Sequence, residues 1–90
     1  MKIFKAEPIE SKLWDLRWTR STHKKWVVVR AEDEDRAMTI ASRDFGIATK
    51  KNPGADVLTS PWENNYLVVW SEINDPKYSM GGVEGIIDKG

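Results

Sequence analysis

Ninety residues, 40% of them apolar and 31% charged, suffice for one folded domain and leave no room for a second core. Fourteen positive and fourteen negative side chains cancel, so the chain as a whole is not the basic surface a polyanion selects, and electrostatics does not oppose self-association. The absence of cysteine excludes disulfides and thiolate metal sites and fits a reducing compartment.

Residues 1–7 read as a first strand, with Ile3, Phe4 and Ala6 apolar and Pro8 closing it. Charges recur every few positions here, unlike a secretory signal, and no segment approaches the roughly 18–20 apolar residues of a membrane helix. A cytoplasmic protein with no membrane partner is therefore expected. Residues 13–19 alternate Trp14, Leu16 and Trp18 with Asp15, Arg17 and Thr19, the period-two pattern of a half-buried strand. Trp14 and Trp18 also lie four apart, so a short helix starting after Ser11 would align them; the alternation favours the strand. Ser21 to Lys24 form a polar turn leading into a strand over residues 25–31. Its continuous run Trp26-Val27-Val28-Val29 suits a central position buried on both sides.

The acidic run 32–35 opens a helix. Asp33 is placed to cap the first free N–H groups, while Glu34 and Asp35 sit where the helix dipole favours negative charge. Ala37, Met38, Ile40, Ala41, Phe45 and Ala48 recur at helical spacing and form one apolar stripe. Gly46 suits a left-handed C′ position, with Ile47 as the apolar contact of the helix ending. A turn over residues 50–54, a short edge strand at Val57-Leu58-Thr59 and a last clear strand over residues 66–73 follow. Trp62, beside the turn fixed by Pro61, is expected to be a packing anchor. Residues 1–76 make the α+β domain, and residues 77–90, rich in glycine, read as a flexible or loosely docked tail.

The resulting fold class is α+β, a mixed or mostly antiparallel sheet of three to five strands with one helix packed on one face. The run Val27 to Ala37 resembles the strand-cap-helix unit of small bacterial and bacteriophage-type domains of uncharacterised function. That resemblance implies a prokaryotic or viral origin and carries over no active residue.

Both long strands are apolar on both sides, and a single helix covers only one. Trp26, Val28, Tyr66, Val68 and Trp70 are assigned to the face without a helix, where they would expose several hundred Å². The chain's own termini, a second copy, or another macromolecule must cover them. The leading functional expectation is a non-enzymatic interaction or regulatory module, homodimeric through this aromatic face. The alternative is single-stranded nucleic acid, with Arg17, Arg20, Lys24, Lys25 and Arg30 pairing phosphates and Trp14 and Trp18 stacking bases.

Nothing in the sequence asks for a cofactor, a metal or a catalytic residue. Helix capping accounts for the run 32–35, whose spacing matches no calcium loop. His23 is the only histidine and stands in a turn beside two lysines. The serines lack a nucleophile-elbow context, and Gly81-Gly82-Val83-Glu84-Gly85 lacks the strand and helix of a dinucleotide site.

Overall fold

The computed structural model of the chain describes residues 1–46 and 60–90. Strands β1 (Lys2–Pro8), β2 (Val27–Ala31), β3 (Val68–Ile73) and β4 (Gly85–Lys89) form one antiparallel sheet in the order β3-β1-β2-β4. One helix, α1 (Glu34–Phe45), packs on one face, so the fold is α+β. Val57-Leu58-Thr59, the turn over 50–54, Ile47 and Ala48 lie outside the described residues. No helix among the described residues is long and apolar enough to cross a membrane.

Helix α1 begins as its sequence dictates. The Asp33 side chain accepts from the Arg36 N–H at 2.8 Å, and Ala37, Ile40, Ala41 and Phe45 face the sheet. Its end differs from the expected left-handed glycine: Gly46 is extended, with φ −67°. The Phe45 carbonyl is satisfied instead by the Thr22 N–H at 2.8 Å, and Gly46 makes an isolated bridge with Ser21. A β-carbon at Gly46 would run into the Ser42 carbonyl oxygen, so close approach rather than positive φ requires glycine there.

The helix-side core consists of Phe4 and Ala6 of β1, Val27, Val29 and Ala31 of β2, Val68 of β3, the helix stripe, and Trp18, Trp62 and Leu67. Register explains the membership. Ala6 pairs with Val27 on one side and Trp70 on the other, and Pro8 pairs with Val68, so Val68 and Trp70 share the helix side with Val27 and Val29.

Residues 77–90 do not form a loosely docked tail: 85–89 are β4, paired with β2. Because β3 and β4 occupy opposite edges, residues 74–84 must span the sheet. Arg30 Nε and Nη1 donate to the Ser79 and Val83 carbonyls at 2.9 and 3.1 Å, and the Tyr78 hydroxyl donates to Asp88 at 2.6 Å. Arg30 alternates with Val29 and so lies away from the helix, which puts this strap over the second face. There Ile3 and Val28 are only 2% and 1% exposed although they lie outside the helix-side core.

Candidate interaction surface

The segment between β1 and β2 sets the character of the surface. Two 3-10 turns, Glu10–Lys12 and Leu16–Arg20, stand where the alternation predicts a strand. The reason is local. Asp15 Oδ1 accepts from the Arg17 N–H at 2.9 Å, and the Arg17 guanidinium returns to both Asp15 oxygens at 2.9 and 2.8 Å. Thr19 donates to the Leu16 carbonyl at 2.6 Å. These side chains satisfy the backbone without a neighbouring strand, as short polar residues do in turns. The Arg17 guanidinium and backbone N–H hold the Asp15 carboxyl at about 2, well below its ordinary value.

This turn separates the tryptophans that the alternation grouped together. Trp18 is buried, edge-on to Trp62 at 5.4 Å, and its indole N–H finds no partner among the described residues. Trp14 is 77% exposed and Leu16 69%. Trp62 fulfils the expected anchoring role, donating from Nε1 to Ser21 Oγ at 2.9 Å while its carbonyl accepts from the Trp70 indole at 2.8 Å. His23 packs against both Phe45 and Trp62, with ring centroids at 4.7 and 6.2 Å, and its Nε2 lies 3.2 Å from the Trp26 carbonyl oxygen.

Tyr66 precedes β3 and is 64% exposed. The Lys12 ammonium sits 3.7 Å from its ring centroid, and Lys12, with a lesser contribution from Arg17, lowers the phenol's pKa. Lys12, at the end of the first 3-10 turn, thus ties the segment leading into Trp14 to Tyr66. Val69, on the adjoining edge strand, is 54% exposed.

The five residues assigned to one open sheet face do not share it. Trp26 and Val28 lie away from the helix; Val28 is buried, and Trp26 is half-buried with Lys5 Nζ 5.1 Å from its ring centroid. Val68 and Trp70 pack into the helix-side core, and only Tyr66 is broadly exposed. The phase of β3 is set through β1, which lies between it and β2. Of the seven nucleic-acid candidates, Trp18 is buried, Arg17 is engaged by Asp15, and Arg30 clamps the strap. Lys24, Lys25 and Trp14 remain exposed and Arg20 half-exposed. A shallow cleft of about 310 Å³ runs beside the two lysines, lined also by Pro8, Leu13 and Trp26 and by the carboxylates of Glu7 and Glu10.

Among the described residues no cluster of three or more metal-ligating side chains occurs. Sequence reasoning missed the exposure of Leu16 and Val69; the signal for Leu16 was Asp15-Leu16-Arg17, a polar pair able to close a turn around it. No family model, no curated protein and no solved structure matches this chain.

Proposed function

We propose that this chain is a non-enzymatic interaction module that acts as a homodimer, with Trp14, Leu16, Tyr66 and Val69 as its contact surface. The observation that carries the reading is the exposure of Trp14, Leu16 and Tyr66, 77%, 69% and 64%, in a protein whose other tryptophans are at least half-buried. An aromatic side chain of this kind removes about 150–250 Å² from water on contact, and tryptophan, tyrosine and arginine dominate interface hot spots. A second copy suits the surface because Asp15, Arg17 and Lys12 put both signs of charge within it, and the balanced chain does not repel itself. The absence of cysteine fits a reducing, cytoplasmic setting.

Light scattering coupled to gel filtration tests this directly. At micromolar concentration the expected molar mass is twice the 10.3 kDa of one chain. The double variant Trp14→Ser/Leu16→Ser is expected to run as one chain with an unchanged far-ultraviolet circular dichroism spectrum. A parent protein of single-chain mass at every concentration refutes the reading.

A second reading, single-stranded nucleic acid, is favoured by the exposed Trp14 and Tyr66 beside Lys12, with Lys24 and Lys25 exposed nearby in sequence. It requires oligonucleotide binding that weakens steeply as salt rises; no binding at low salt removes it.

A further inference from the structure

The two edges of the sheet are built differently. At β4 the pairing with β2 slips between Val28 and Val29, leaving Ile87 as an extra residue. The strand opens on Gly85 at φ +149° and ends on Asp88 and Lys89. A bulge and charges are among the devices that keep an edge from pairing with another chain. The β3 edge is nearly bare of them. Val68 to Ile73 keep unbroken register with β1, carry no proline, lysine or bulge, and include one charge, Glu72. Among the described residues nothing pairs with its outer side. A straight edge six residues long, with Val69 half-exposed, presents a row of free N–H and C=O groups to any extended strand.

We infer that β3 is the seam of the homodimer, pairing antiparallel with β3 of a second copy to join two four-stranded sheets into one. The inference rests on the self-association proposed above and specifies how it is made.

Self-complementarity identifies the occupant. A two-fold axis normal to the sheet keeps every side chain on its own face, so opposed residues must come from the same alternation. Val69, Ser71 and Ile73 lie on the strap side, and Val68, Trp70 and Glu72 on the helix side, by their pairing with β1. That leaves four registers; an axis at Val69 opposes only Val68 to Trp70 and leaves the other half of the strand unpaired. An axis at Glu72 sets two carboxylates directly opposite each other, which is destabilising. An axis at Trp70 opposes two indoles whose positions are already fixed by the bond to the Trp62 carbonyl, and sets Val69 against serine. An axis at Ser71 places the smallest side chain of the strand at the centre. It pairs Val69 with Ile73 of the other copy, apolar on apolar, and lays the Glu72 methylenes along the Trp70 ring. Of the two registers that engage five of the six strand residues, those centred on Trp70 and Ser71, only the latter opposes apolar to apolar. It also carries each Tyr66 to an end of the seam, where the Trp14 and Leu16 group continues the contact.

The chain has no cysteine, so one introduced thiol reports the register without background. In Ser71→Cys the two axial α-carbons stand about 4.5–5.5 Å apart, inside the disulfide window of about 4.4–6.8 Å. The control is Thr39→Cys, on the exposed side of α1. Under mild oxidation at micromolar concentration, Ser71→Cys is expected to form a covalent dimer on the order of tenfold or more faster than the control. Val69→Lys, a charge placed on the edge opposite Ile73, is expected to return the molar mass to one chain with the circular dichroism spectrum unchanged. If the parent is dimeric while Ser71→Cys cross-links no faster than Thr39→Cys, or Val69→Lys stays dimeric, the seam is elsewhere and only the homodimer survives. If the parent is monomeric at all concentrations, the homodimer and its seam fall together.

Discussion

Replacing Trp62 by phenylalanine tests the packing on which the exposed surface depends. The Trp62 ring is fully buried, 5.4 Å from Trp18, 5.5 Å from Phe45 and 6.2 Å from His23. It ties three elements together: the 3-10 turn ending at Arg20, the end of α1, and, through its carbonyl, β3. Phenylalanine removes the indole N–H that reaches Ser21 Oγ. That hydroxyl keeps its bond to the His23 carbonyl at 2.6 Å, so the lost bond costs about 1 kcal/mol and not the larger penalty of an orphaned polar group. The missing ring atoms leave a small cavity among rigid aromatic neighbours, at about 1–2 kcal/mol more. The total is about 2–3 kcal/mol, against about 3–5 kcal/mol for Trp62→Ala. In a domain of this length 1 kcal/mol moves the melting temperature by about 4–8 °C, so Trp62→Phe is expected to lower it by roughly 10–20 °C. Urea and thermal unfolding followed by far-ultraviolet circular dichroism measures this without relying on tryptophan emission. A loss below about 0.5 kcal/mol refutes the assignment of Trp62 as the anchor of the segment that presents Trp14 and Leu16.

Three further outcomes follow from the polar contacts. Arg30→Leu removes both donors that hold the Ser79 and Val83 carbonyls, and should cost about 1–2 kcal/mol and raise binding of a hydrophobic dye as Ile3 and Val28 become accessible; unchanged dye binding means the strap does not cover that face. Asp15, held at about 2 against an ordinary 3.8, contributes stability that is fully present above 3.8 and lost as pH falls through 2. Asp15→Asn should therefore flatten the fall in denaturation midpoint between about pH 4 and pH 2, leaving the acid sensitivity of Glu84 and Asp88, whose carboxyls Arg36 and Tyr78 also pull downward. The two tyrosines should titrate apart in phenolate absorbance, Tyr66 below the ordinary value because of Lys12 and Tyr78 above it because its hydroxyl donates to Asp88. Lys12→Met should move the lower transition upward, and a single unresolved transition in the parent contradicts the geometry around Tyr66.

How far the sequence could be read depended on how local each signal was. Helix α1 was legible because cap and stripe lie within one segment: Asp33 bonds Arg36, and the side chains spaced three and four apart meet the sheet. β1 and β2 were legible for the same reason. The segment over 13–19 was not, because its alternation of aromatic and polar residues is also what a turn closed by Asp15 and Arg17 looks like. β4 escaped notice because Ile87 is an extra residue at the slip, which breaks the period-two pattern in a five-residue strand. The face of β3 could not be read at all. Whether Val68 or Val69 joins Val27 depends on β1 standing between β2 and β3, and strand order is a long-range fact that no local pattern contains.

That long-range fact changes where a partner can bind. The expected docking face assumed that a single helix leaves one side of the sheet bare. The strap supplies the second cover because β3 and β4 end on opposite edges, so the chain has to cross the sheet to join them. Once the chain itself occupies both faces, Val28 and Val68 cannot touch another molecule without local unfolding. What remains available are side chains that project from turns and the hydrogen-bonding groups of the edges. Among the described residues the first set includes Trp14, Leu16 and Tyr66, with Met80 and Val83 on the strap; the second is the outer side of β3, and Val69 belongs to both by exposure and position. Removing the sheet face from consideration therefore concentrates the case for association on one edge and the turn beside it.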